Sequence, residues 1–181
     1  MTWRRAGKAL AAAGLGLVAL MGSAAVGACD WRPDDEAQLR RELAQASREA
    51  RRRLPLFWEH LSAPSEQEFD FRLKVRLKTT SGPGETAEVW VEEIDRKGDG
   101  AVSARLAQTS PDLAPLQGGD EVVFEETAIT DWGFFRKEDL LGHYTTRVLL
   151  PRLPSDQAEV LRSVLSDDPL GDESAQAEVV G

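Results

Sequence analysis

The sequence contains one cysteine, two histidines and one tyrosine in 181 residues. A single cysteine can form no internal disulfide, so the fold must rest on packing. Two histidines leave little from which to build a zinc site of the ordinary ligand types. No HExxH, paired CxxC, GxSxG elbow or phosphate-binding loop occurs. The common marks of metalloproteases, thiol redox centres, serine hydrolases and nucleotide phosphotransferases are therefore missing, and no motif implies a cofactor. Concentrated positive charge is missing too. The net charge is -9, and the first 28 residues hold Arg4, Arg5 and Lys8 without an acid, so the remainder is three charges more acidic still. A polyanion needs a basic surface, so no nucleic-acid partner is expected.

What is present begins with an address. Arg4, Arg5 and Lys8 form a charged n-region, Ala9 to Val26 is apolar and small, and small residues lead to Cys29. That order is the order of an export signal over residues 1–28. The Ala- and Gly-rich run makes a poor permanent span, although a transmembrane anchor is the alternative. Cys29, the lone cysteine, stands where the small residues end. Val26-Gly27-Ala28-Cys29 resembles the lipobox of bacterial lipoproteins. That resemblance implies acylation of Cys29, cleavage before it, and attachment to the lipid bilayer of the cell envelope through palmitate-type chains. It leaves inner and outer membrane both open.

Residues 29–55 read as the lipidated terminus and a helical arm. Asp34, Asp35 and Glu36 open this segment and Arg51, Arg52 and Arg53 close it, as a helix dipole favours. Leu39, Leu43, Ala46 and Ala50 make a narrow apolar stripe, so one helix is expected over about 35–53, as a stalk or lying on the domain. The three arginines are expected to be a solvated helix end rather than a headgroup patch. After Pro55, the group Leu56, Phe57, Trp58 and Leu61 can dock a short second helix, with His60 at the surface.

A domain is expected over 56–166. Phe69, Phe71, Leu73, Val75 and Leu77 alternate with charged residues, the period of a half-buried strand. Thr86 to Ile94 continues as a strand in which Trp90 and Ile94 share a parity, implying cover on both faces or a bulge near Glu92. The turn from Asp95 to Gly100 imitates part of a calcium loop, but Lys97 and Leu106 stand where ligands are needed. Strands at 101–107, 122–124 and 129–135 follow, the last interrupted at Gly133, with Leu113 and Leu116 tucked under a loop. The fold class is therefore α+β: a small, antiparallel, strongly bent sheet of about five strands with an N-terminal helix and one or two C-terminal helices. Tyr144 to Leu150 reads as helix, or as strand by propensity. Ser155 can cap a clearer helix, and an acidic disordered tail is expected over 167–181.

Phe71-x-x-Lys74-Val75, Trp90-Val91, Gly119-Asp120-x-Val122-x-Phe124, Ile129-x-Asp131-Trp132 and Tyr144-Thr145-x-Arg147-Val148-Leu149, in that order, resemble the YegJ-like family, a bacterial domain of unknown function. The likeness covers about 57–165. It departs from the family at Glu88, where a His is frequent, and at Gly133, where a large residue is. The resemblance implies a fold and no established activity.

Strand parity puts Ile129 and Asp131 on one face, so a buried Ile129 brings Asp131 inward, where a carboxylate needs donors. Arg147 and the backbone N–H groups at the start of the following helix are the candidates, a polar clasp between sheet and helix. Trp90, Trp132 and Tyr144 form a candidate binding face for an unknown envelope protein or ligand. The sequence thus reads as a non-catalytic binding or structural module on an envelope lipoprotein. A hydrolase or small-ligand site on Asp131, His143 and Arg147, with Glu88 as a further member, is the alternative. An immunity-type protein that masks a toxin is a third.

Overall fold

The computed structural model describes residues 33–80, 82, 84–98 and 100–170; the leader, Cys29 and residues 171–181 lie outside them. Two helices come first, α1 (Pro33–Arg52) and α2 (Leu54–Ser62). Six strands follow: β1 (Glu68–Lys78), β2 (Thr86–Arg96), β3 (Ala101–Leu106), β4 (Glu121–Glu125), β5 (Ile129–Arg136) and β6 (Asp139–Gly142). Two short helices come last among the described residues, α3 (Tyr144–Leu149) and α4 (Ser155–Val164). All strand pairs are antiparallel, in the order β4-β3-β2-β1-β5-β6. The architecture is α+β, as expected.

Chain length forces the sheet to curl. The link from β4 to β5 is only Glu126–Ala128, yet β5 stands four places away across the sheet. In a flat sheet four strand spacings would be about 19 Å, whereas the steps from Glu125 to Ile129 reach at most about 14 Å. The sheet must bend back until the ends of β4 and β1 meet.

Bulges supply part of that bend. Asp70 and Glu93 adopt left-handed backbone (φ 55° and 50°), and the registers slip beside them, between Phe69 and Arg72 and between Glu92 and Asp95. The slip near Glu92 is the expected bulge, and Ile94 packs on the core beyond it. The slip at Asp70 breaks the alternation expected of β1. Leu73 and Val75 are buried, but Phe69 is 53% exposed and stacks on Phe135 with ring centroids 5.3 Å apart.

The core is aromatic where the helices cover β5. Phe57 of α2 contacts Trp58, Phe71, Trp132 and Phe134. The Trp132 indole N–H donates to the Ala50 carbonyl at 2.8 Å, joining β5 to the last turn of α1. Ser47 and Ala50 are buried, so the second half of α1 lies on the domain. Arg152 reaches back to Glu42 at 2.9 Å, and Glu49 holds Arg52 at 2.6 Å, so the basic helix end is an ion-paired surface. His60 is partly buried rather than at the surface: its ring lies against Phe134 and its Nδ1 is 3.0 Å from Glu68.

Near the C-terminal end local details differ from expectation, and one open choice is decided. β5 runs through Gly133 without interruption, and Asp139–Gly142 is a sixth strand, too short to show a period. Tyr144 to Leu149 is helical. Ser155 is the first residue of α4, with Pro154 at its N-cap and no side-chain cap. The acidic tail is ordered at its start: Leu170 is buried, Pro169 accepts the Gly142 N–H at 2.8 Å, and Leu165 bridges Leu140.

Gly133 and Gly142 face each other across β5 and β6, and both positions are filled by neighbours. A Cβ on Gly142 would lie 2.3 Å from the Trp132 carbonyl oxygen, at a φ of 73°. Gly142→Ala should therefore cost about 3 kcal/mol or more in urea titration. Gly98→Ala, where a Cβ would meet nothing within 4 Å, should stay within about 0.5 kcal/mol of the parent.

Candidate functional site

β6 is short and pairs only with Gly133–Arg136, which leaves the first half of β5 without a strand neighbour on that side. The chain leaves β6 through His143 in left-handed backbone (φ 54°, ψ 40°), and α3 starts against the uncovered part of β5. His143 N–H donates to the Trp132 carbonyl at 2.8 Å. The N-cap side chain makes no capping bond, so the start of α3 must find acceptors elsewhere.

Asp131 supplies them from β5. Its Oδ1 accepts from the Trp132 N–H at 2.8 Å and the Tyr144 N–H at 3.1 Å. Its Oδ2 accepts from the Thr145 N–H at 2.7 Å and the Thr145 hydroxyl at 2.6 Å. A carboxylate has about four lone-pair sites, and all are taken. Burial pushes the Asp131 carboxyl up from its ordinary range, opposed by Thr145, the Trp132 N–H and Lys74.

Asp131 reaches this place by a different route from the parity argument. Ile129 pairs with Val75 and Asp131 with Lys74, so Thr130 is an extra residue and the two side chains point to opposite sides of the sheet. Both are wholly buried, Ile129 in the apolar core and Asp131 beneath α3. Its cross-strand cation is Lys74, whose Nζ lies 3.4 Å from the Thr145 hydroxyl and 3.2 Å from Glu88. Glu88 also holds Arg76 at 2.8 Å. Burial raises the Glu88 carboxyl, but Lys74 and Arg76 outweigh it and hold the group below the usual range.

Arg147 does not join Asp131. Its Nε donates to the Gly142 carbonyl at 2.9 Å and its Nη1 to the Ser166 carbonyl at 2.6 Å, pinning the C-terminal segment to β6. The helix-start half of the expected clasp is present and the arginine half is not. His143 is buried, its ring stacked 4.5 Å from Trp90 and set over Gly133, where a Cβ would lie 2.2 Å from its Cδ2. Its Nδ1 is 3.2 Å from the Thr146 hydroxyl. The absence of a side chain at Gly133 is what admits this ring. Trp90, Trp132 and Tyr144 are at most 8% exposed, so none of the three presents an open ring surface. Sequence reasoning missed Thr145 and Lys74. A hydroxyl at the second position of the helix and a lysine opposite an aspartate were the available signals.

Among the described residues no group of three or more His, Cys, Asp or Glu is placed to hold a metal ion, and no helix is long and apolar enough to cross a membrane. A family model for uncharacterised proteins conserved in bacteria, DUF2314, matches residues 40–163. The chain belongs to that family. No curated protein and no solved structure matches it.

Two measurements follow from the geometry. Asp131→Asn would turn an amide N–H toward backbone N–H groups and leave donors unpaired, costing about 3 kcal/mol of stability; Thr145→Val removes one hydroxyl and should cost about 1–2 kcal/mol. An unchanged urea midpoint for Asp131→Asn would remove the clasp. Burial, then the charges of Arg147, Arg72 and Lys74, pushes the His143 imidazole from 6.5 down to about 3. The unfolded chain thus takes up a proton that the folded protein refuses. Stability should be full above about pH 6.5 and fall toward pH 3, by at most about 1.4 kcal/mol per pH unit. Between about pH 7 and 5, above the carboxylate range, His143→Asn should flatten the fall relative to the parent; parallel curves would contradict it.

Proposed function

We propose that the protein is an exported, lipid-anchored component of the bacterial envelope, and that its YegJ-like domain is a non-catalytic binding module. One observation carries the non-catalytic reading: the carboxylate of Asp131, the acid at the centre of this stretch, is fully engaged by the fold. All four acceptor positions of Asp131 are filled, and Arg147 is bound to two backbone carbonyls. His143 is enclosed by Trp90 and Gly133. A general base needs a lone pair within reach of substrate, and Asp131 has none to offer. That favours the binding module over a hydrolase site on Asp131, His143 and Arg147.

The anchored part of the proposal rests on the sequence, on the basic n-region, the apolar run and Val26-Gly27-Ala28-Cys29. α1 begins at Pro33, four residues beyond Cys29. An acylated Cys29 would hold the domain close to the bilayer by its first helix, and two or more acyl chains would make that attachment stable. The partner is an envelope protein or ligand. Growth with labelled palmitate, followed by fractionation, tests the anchor. The parent should carry label and sediment with membranes, and Cys29→Ser should lose both. An unlabelled parent in the cytosolic fraction would overturn it.

A further inference from the structure

The two edges of the sheet differ. Beyond β6 the Ser166 N–H donates to the Leu140 carbonyl at 3.2 Å and the Pro169 carbonyl accepts from Gly142 at 2.8 Å, while α3 sits on the first half of β5. At the opposite edge β4 pairs with β3, and no other strand or helix runs alongside it among the described residues. The open groups of β4 can be named. The Glu126 N–H donates to the Gly100 carbonyl and the Leu106 N–H to the Asp120 carbonyl, so the even-numbered residues of β4 bond to β3. Antiparallel bonding alternates, and Glu121, Val123 and Glu125 therefore point their N–H and C=O groups away from the sheet. None of these groups has a partner among the described residues.

Edge strands are usually blunted by a lysine, a proline or a bulge. β4, with the sequence EVVFE, has none of these: its pairing with β3 runs without a slip and no residue in it has a positive φ. Val123, at its middle on the outer face, is 67% exposed. Acids flank it. Glu121 and Glu125 are exposed, and neither has an ion-pair partner among the described residues. Arg105, opposite Glu121 on β3, gives its guanidinium to Glu93 and to the Gly119 carbonyl.

Those two charges select the occupant. A second copy, paired antiparallel in the register that uses every open group, would set Glu121 against Glu125 at both ends, and like charges directly opposite are destabilising. Residues 171–181 carry Asp172, Glu173 and Glu178 and no base, so they meet the same repulsion. A strand with a base facing each acid is attracted instead. We propose that β4 is a docking edge for an extended segment of another protein, added antiparallel, with the pattern base-x-apolar-x-base: a base opposite Glu121 and Glu125 and an apolar residue opposite Val123. Main-chain bonds supply the attachment, and the alternate side chains select the partner. The proposal gives a partner to the binding module proposed above and rests on that reading. A failure at this edge leaves that reading and the anchor standing, because neither the bonds to Asp131 nor palmitate labelling depends on β4.

The test uses the nitrogen-15-labelled full chain in detergent micelles and the peptide acetyl-Thr-Lys-Val-Ile-Val-Lys-Thr-amide, with a second peptide in which both lysines are glutamate. With the lysine peptide, amide hydrogen exchange at Glu121, Val123 and Glu125 should slow saturably, by about tenfold or more, while Val122 and Phe124, already bonded to β3, stay as they were. The glutamate peptide should leave all five unchanged. Joint replacement by Glu121→Lys and Glu125→Lys should reverse the preference between the peptides. Val123→Pro, which removes an outward N–H and no bond to β3, should abolish the slowing; if it fails to fold, the charge reversal decides alone. Slowing that never saturates, that both peptides produce equally, or that survives Val123→Pro would overturn the proposal. So would protection of the three amides before any peptide is added: growing with protein concentration it would give the edge to a second copy, and lost on removal of residues 171–181 it would give it to that segment.

Discussion

A carboxylate removed from water is costly unless donors replace its hydration, and a helix start has N–H groups with no partner of their own. Asp131 and α3 solve both problems at one place. The carboxylate is wholly buried and accepts three backbone N–H groups and a hydroxyl. α3 has six residues, too few to persist by itself, and its own N-cap side chain offers nothing. A strand thus caps a helix that starts thirteen residues further along the chain. The bond fixes the outer edge of β5, which β6 is too short to cover. Lys74, opposite Asp131 on β1, brings a countercharge to the same hydroxyl and links the buried acid to Glu88 at the rim.

The rest of the fold makes room for that contact. Two glycines face each other so that the Trp132 ring can lie on one and the His143 ring on the other. Trp132 points to the helical layer and bonds to the end of α1, while Asp131 beside it points to the opposite side. Two adjacent residues of β5 therefore hold one helix each. The extra residue Thr130 lets Ile129 enter the core while Asp131 turns away from it. The short link between β4 and β5 curls the sheet that carries them all.

The parts of this arrangement that repeat were legible in the sequence. Alternation marked β1 from Phe71 onward, the parity conflict of Trp90 and Ile94 marked a bulge, and the charge gradient of α1 marked a helix. What could not be read were single departures from a period. The left-handed Asp70 exposes Phe69, and the four residues of β6 are too few to alternate. Asp131 was correctly placed at a helix start, but Arg147 was an attractive partner only because opposite charges invite pairing. In the structure backbone N–H groups occupy the carboxylate first. Burial of Trp90 and Tyr144 depends on α3 folding over β5, a contact no local pattern encodes. Membership of a family of uncharacterised bacterial proteins agrees with this picture and adds no chemistry to it.

If the acid at position 131 is structural, its contacts should break only when the whole domain unfolds. Amide hydrogen exchange at Tyr144 and Thr145 reads this directly, because the first N–H groups of a six-residue helix ordinarily exchange fast. Protection of both, at the free energy of global unfolding measured by urea titration, is the expected result. Exchange as rapid as that of the exposed Gly98 amide would show a loose helix start and an Asp131 free for other work.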